Sequence, residues 1–412
     1  MDFFPTLSMS ITPIMAFGMM LVIGALGGFL AHRLSWLPSI TGFMIVGFLF
    51  GPSGIGLFSQ EAIAGSQILI NIALALILYR LGLSLDIKYL WRHPQLFITS
   101  LVESAATFVL VSVVLGVIGI PLLLSFFVAA IAISSSPAVL LHVAHEVGAK
   151  GEVTESTKTL VALNNLFSIV MFSALLPFVH YSAGAEWVVT LFQPLYSFFG
   201  SLLVGVILAY GLHAVVLRTR EAGQYKLALV IGVIMIAVGL AYELKLSMYF
   251  IALTIGVVIK AMEEESLISE ITFGPAFELF FIVLFVFAGA GLHLHELIEF
   301  APAIFSLVLV RILAKVFGVS LTSLFQKKSF QKSVSSGLLL IPMAGLAIGL
   351  TLASGNLFPQ YASIISAVVL GAVTVFETIG PPIASYAFRL AGETAELQKQ
   401  ADNGEQQDSQ NG

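Results

Sequence analysis

The chain has 412 residues, 58% of them hydrophobic and 10% charged, with a formal net charge of −5 and a mean hydropathy of +1.02. That is too little charge to cover a soluble globule, so the composition predicts an all-α polytopic membrane protein. With no cysteine in the chain, disulfides, thiolate metal sites and thiol redox switches are excluded.

A bilayer core takes about 20 apolar residues per helix, and the chain offers thirteen such runs almost end to end. In order, their cores are 14–32, 37–50, 64–84, 95–118, 122–146, 158–181, 187–217, 225–243, 246–260, 273–292, 300–324, 334–353 and 361–390. The second and ninth are short, and the seventh is long enough to tilt or kink. Residues 1–393 read as one membrane domain, and 394–412 as a polar, disordered cytoplasmic tail. No cleavable leader is expected, because the first apolar run has no basic residues ahead of it.

The loops test the span count. Assigned alternately to two sides, fourteen Lys and Arg residues fall on one side and only Lys245 on the other. The bias puts the C-terminus in the cytoplasm and, with an odd number of spans, the N-terminus outside. The remaining cations, Arg80, Arg311 and Lys315, lie within predicted helices. Lipid disfavours buried charge, so such residues are functional or paired.

Two halves share landmarks. The third run ends in Gly-Leu-Ser-Leu from Gly82 and the tenth in Gly-Leu-His-Leu from Gly291. The fifth holds Pro137 after Ser134, Ser135 and Ser136, and the twelfth holds Pro342 shortly before Gly345. Proline removes a helix hydrogen bond, and in hydrocarbon the freed carbonyls are tolerated only where they line a cavity. A matched pair of interrupted helices therefore predicts a midplane binding site in an inverted repeat. The halves are about 14–181 and 225–390, joined by a connector helix at 187–217. The alternative for each proline is a packing kink.

Five blocks, taken in order, carry a resemblance to a known family: LPSITGFMIVGFLFGPSGIGLF (37–58), GLSLDIKYL (82–90), AIAISSSPAVL (130–140), FVFAGAGLHLHEL (285–297) and IGPPIASYAFRLAGE (379–393). They resemble Kef-type monovalent cation:proton antiporters. The resemblance implies thirteen helices, two of them broken and crossing, in a bacterial inner-membrane protein that is usually a homodimer. It implies no cofactor and no enzymatic activity, with Na+ or K+ and H+ as the partners inside the lipid bilayer.

On the helix after the first break, the family carries a pair such as Asn-Asp. Here the pair is Asn164 and Asn165. An amide oxygen coordinates a cation but does not titrate, so proton exchange needs another carboxyl. The intramembrane candidates are Glu377, Glu103 and Glu278, with Glu377 favoured as the symmetry counterpart of the amide pair. Arg311 and Lys315, four residues apart, share a helix face, and one of them is expected to pair with Glu278 or Glu377; the alternative for Lys315 is snorkelling.

The predicted ion site is thus Asn164, Asn165, Ser134, Ser135, Ser136, Pro137, Pro342 and Gly345. No metal is expected beyond the transported cation. His142, His145 and Glu146 read as helix-end polar residues, and no pattern points to nucleic acid. The predicted function is a secondary transporter exchanging Na+ or K+ for H+. The alternatives are a channel or uniporter without proton coupling, and a membrane sensor that does not transport.

Overall fold

The structure is a computed structural model that describes residues 13–33, 39–57, 67–182, 187–218, 225–263, 274–326, 329–357 and 361–395. Among these residues the regular structure is entirely helical. The helices are α1 (Pro13–Arg33), α2 (Ser39–Phe50), α3 (Gln67–Ser84), α4 (Ile87–Arg92), α5 (Gln95–Ile118), α6 (Leu122–Ala132), α7 (Pro137–Glu146), α8 (Glu152–Ser182) and α9 (Trp187–Arg218). They continue with α10 (Lys226–Glu243), α11 (Met248–Met262), α12 (Gly274–Ala290), α13 (Leu294–Glu299), α14 (Ala301–Gln326), α15 (Phe330–Leu339), α16 (Gly345–Leu357) and α17 (Ala362–Ala391).

Every apolar run read from the sequence carries helix. Among the described residues, eight segments are long and apolar enough to cross a membrane: Ile14–Ala31, Gln95–Ile118, Leu122–Glu146, Glu152–Leu176, Phe192–Arg218, Lys226–Glu243, Ala301–Gln326 and Ala362–Ala391. Four shorter apolar helices accompany them, at Thr41–Phe50, Ile68–Ser84, Met248–Met262 and Gly345–Gly355.

Contacts divide the chain into two compact units. The first contains α1, α2, the start of α3 up to Ala73, and α12. Its helices meet at glycines: a Cβ on Gly24 would fall 2.5 Å from Ile282, and one on Gly47 would strike the backbone of Val286. Gly24 and Gly28, a small-residue pair in the sequence, thus pack on α12 and α2 of the same chain.

The second unit holds the remaining helices. Here α14 packs along α5 on one side and α15 on another. The approach is close: a Cβ on Gly318 would lie 2.6 Å from Glu103 Cα, and one on Gly337 would lie 2.7 Å from Val316 Cα. Both predicted helix breaks are present in this unit. The first run stops after Ala132 and restarts at Pro137, where Ser136 caps the new N-terminus by accepting from the Val139 N–H at 3.4 Å. Proline suits that first helical position, since its missing N–H would have had no intrahelical partner. The second run stops at Leu339 and restarts at Gly345.

The first two residues of the predicted tail pack against the rest of the second unit. Thr394 is buried, and the Ala395 N–H donates to the Val147 carbonyl at 3.1 Å. The rest of the predicted tail, 396–412, lies outside the described residues.

Candidate ion-exchange site

The two breaks meet. The Ser136 N–H donates to the Pro342 carbonyl at 2.7 Å, and the Ser135 hydroxyl donates to the Leu340 carbonyl at 2.8 Å. Peptide groups freed by one interruption are thus partly satisfied by the other, as a backbone surrounded by lipid requires.

The carbonyls left at the C-terminal ends of the half-helices α6 and α15 converge on Arg311. Its Nε donates to Ala132 at 2.8 Å, one terminal nitrogen to Ile341, and the other to Ser134 at 2.5 Å and Leu340 at 3.4 Å. The Phe376 ring of α17 lies under the guanidinium, with its centroid 4.7 Å from Cζ. A delocalised cation with a planar fork of donors suits two helix C-termini, where unpaired carbonyls concentrate partial negative charge. Arg311 therefore ties the crossing together.

Lys315, one turn along α14, donates to the Ile133 carbonyl at 2.5 Å and pairs with Glu103 Oε1 of α5 at 2.9 Å. Both side chains are 0% exposed. The carboxylate on Lys315 is thus Glu103 rather than the expected Glu377, and the buried ammonium does not snorkel; the Glu278 side chain lies outside the described residues. Glu103 Oε1 also accepts from the Thr107 hydroxyl at 2.7 Å, whereas Oε2 meets no donor among the described residues. The close approach at Gly318 lets a lysine and a glutamate share a helix interface only one side chain deep.

Asn164 and Asn165 face different neighbours. Asn165 Oδ1 accepts from the Ser135 N–H at 3.1 Å, and its Nδ2 donates to the Ser135 carbonyl at 2.9 Å. The amide thereby replaces two hydrogen bonds that the broken helix cannot make for itself. Asn164 Oδ1 accepts from Ser100 at 2.7 Å and Ser104 at 3.5 Å, while its Nδ2 has no partner among the described residues. One step further along α8, the Ser168 hydroxyl donates to the Ala130 carbonyl at 2.8 Å.

Glu377 is buried on α17, one turn before Gly380, where an added Cβ would lie 3.1 Å from the Pro342 ring. Its Oε1 meets no donor among the described residues. Glu278 belongs to α12, and its side chain lies outside the described residues. Gly345 opens α16.

Glu103 apart, the polar face of α5 was not expected from the sequence. Thr99, Glu103 and Thr107 stand four residues apart, with Ser100 and Ser104 beside them. That spacing draws one stripe along a helix, and a polar stripe in an apolar helix was the available signal. Glu393 was also missed. Its carboxylate accepts from the N–H groups of Val153 and Thr154 at 2.7 and 2.8 Å and from the Thr154 hydroxyl at 2.7 Å, capping α8 from the end of α17.

Two interrupted helices crossing inside a polytopic bundle, with buried charge at the crossing, define a secondary-transporter architecture. The chain belongs to the sodium/hydrogen exchanger transmembrane family, whose profile matches residues 18–385. It is a multi-pass integral membrane protein, and its family supports cation:proton exchange as its activity. Among solved structures, the fold is similar to that of the sodium proton antiporter MjNhaP1 from Methanocaldococcus jannaschii at pH 8, with a TM-score of 0.74 and 20% identity over 92% of this chain and 97% of that one. An electron-microscopy structure of the same antiporter gives a TM-score of 0.72 at 20% identity, covering 92% and 96%. No curated protein matches the sequence.

Proposed function

We propose that the chain exchanges a monovalent cation, Na+ or K+, for H+ by alternating access, with the Glu103–Lys315 pair as the titrating centre. The observation that carries this reading is the fully buried ion pair at 2.9 Å, set against the first helix break and leaving Glu103 Oε2 without a donor among the described residues. In this reading an entering cation takes the place of the ammonium at Glu103, and Lys315 releases a proton. Charge in the site is the same before and after, so exchange is one for one and electroneutral.

Asn164, Ser100 and Ser104 supply neutral oxygens beside Glu103. The backbone from Ser134 to Pro137 and from Pro342 to Gly345, held by Arg311 and Asn165, forms the rigid support. Glu377 is the second proton-coupling candidate, carried by the last helix. Placement in a bacterial inner membrane with the C-terminus inside, the Kef-type branch and a homodimeric assembly complete the proposal. The loop-charge bias supports the orientation, and the five sequence blocks support the branch and the assembly.

Purified protein in liposomes, with internal pH and cation content followed after a Na+ or K+ pulse, tests the reading. Coupled, voltage-independent proton movement that Glu103→Gln abolishes is expected. Cation flux without proton movement would establish a channel or uniporter instead, and silence with both cations would leave the sensor.

A further inference from the structure

At the end of the second unit where α5, α8 and α15 begin and α14 finishes, a cleft of about 30 Å³ opens, room for one or two waters. Its walls carry Thr99, Ser156, Thr322, Gln326 and Ser336, and Leu160 and Val319 also line it. At the cleft Lys332 and Glu152, both partly exposed, pair at 3.1 Å. Gln326 Nε2 donates to the Thr99 hydroxyl at 3.0 Å, and the Thr322 hydroxyl approaches the same oxygen at 3.3 Å.

The cleft is aligned with the buried centre on all four helices. Thr99 is one turn from Glu103 on α5, Leu160 from Asn164 on α8, Val319 from Lys315 on α14, and Ser336 from Leu340, which caps the C-terminal end of α15. Four residues of helix rise about 6 Å, which keeps each pair on one face. The cleft and the centre are therefore consecutive layers of one four-helix interface.

We propose that this cleft is the proton's own path to the Glu103–Lys315 pair, an assignment that rests on the exchange reading above. Hydroxyls and small waters pass a proton by accepting one and giving up another, which leaves each relay group unchanged. The proton that leaves the Lys315 ammonium passes to Glu103 Oε2 and on to water in the cleft while the centre is open to this side, and the proton that replaces it enters from the opposite side once the centre faces that way. A metal cation is poorly served here. Among the described residues the one carboxylate on the lining is Glu152, which pairs with Lys332, and that ammonium repels an approaching cation. The cation's route lies elsewhere.

The test starts from the unmodified protein in liposomes, whose lack of coupled proton movement would defeat the exchange reading before any variant is made. Given coupling, Thr99→Val with Thr322→Val keeps side-chain shape and removes the relay hydroxyls. Turnover should fall about a hundredfold, the lower end of what a positioned proton-transfer group contributes, with the half-saturating cation concentration unchanged and a larger solvent deuterium isotope effect. Gln326→Leu is the second variant should the first not fold. Since the chain has no cysteine, Ser336→Cys offers a single target: a small methanethiosulfonate added on the Lys332 side should label it and slow proton movement. A raised half-saturating concentration at full turnover would make the cleft the cation's route and overturn the proposal. Unchanged kinetics, or a Ser336→Cys variant inert to the reagent, would overturn it as well.

Discussion

Asn165 holds the peptide group of Ser135 from both sides, accepting from its N–H at 3.1 Å and donating to its carbonyl at 2.9 Å. Only a side chain with both a donor and an acceptor can do this, and a carboxylate has no donor. The departure from an aspartate at this position thus has a structural meaning: the amide closes the first helix break. Asn165→Asp should set a carboxylate oxygen against the Ser135 carbonyl and lower stability by about 1–3 kcal/mol, the cost of a buried polar group left unpaired. Thermal unfolding in detergent measures the deficit, which should shrink in acid, where the introduced carboxyl gains a proton to donate.

The Glu103–Lys315 pair predicts a strongly non-additive cycle. Lys315→Met leaves a charged Glu103 with no cation in contact, and losing one partner of a buried pair costs about 3–5 kcal/mol. Glu103→Gln together with Lys315→Met should recover most of that loss, because neither buried charge then remains. Melting temperatures of the two singles and the double decide the matter; additive losses would mean that the pair is not coupled.

Arg311→Lys should be severe despite its conserved charge. Arg311 donates to carbonyls of four residues, Ala132, Ser134, Leu340 and Ile341, across both breaks. A lysine has a single nitrogen and no planar fork. Loss of two or more of these charge-assisted bonds should cost about 3 kcal/mol or more, seen as early unfolding in a detergent-stability assay, with exchange lost in proportion.

Glu377→Gln should behave differently from Glu103→Gln. Glu377 shows no ion pair among the described residues, so an isosteric neutral amide removes no partner. Stability should change by no more than about 1 kcal/mol, because no hydrogen bond or ion pair among the described residues is lost. In the liposome assay, coupled proton movement should survive this change at reduced rate, whereas Glu103→Gln abolishes it.

Glu393 and Gly151 should give overlapping losses. A Cβ on Gly151 would fall 2.3 Å from the Glu393 carboxyl carbon, so Gly151→Ala must displace the carboxylate that caps α8. Removing a helix cap costs about 0.5–2 kcal/mol. Gly151 has φ +157°, a conformation that strains any side-chain-bearing residue, so Gly151→Ala should melt below Glu393→Ala, and adding Glu393→Ala to it should cost little more, since the cap is already lost.

Much of the architecture was legible in the sequence because lipid imposes one local rule, that each spanning segment must satisfy its own backbone and face outward with apolar side chains. The apolar runs, the interruptions at Ser134–Pro137 and Pro342–Gly345, and the candidacy of Arg311, Lys315 and Glu103 all follow from residue type and spacing along one helix. Which carboxylate meets Lys315 is a different kind of question. It depends on α5 and α14 approaching within the reach of Gly318, a contact between residues over two hundred positions apart. Likewise the sequence showed that Asn165 lacks a charge, but only the fold showed that its two polar atoms are both spent on Ser135. Local hydropathy determined what must be buried; helix packing decided which buried groups would compensate one another.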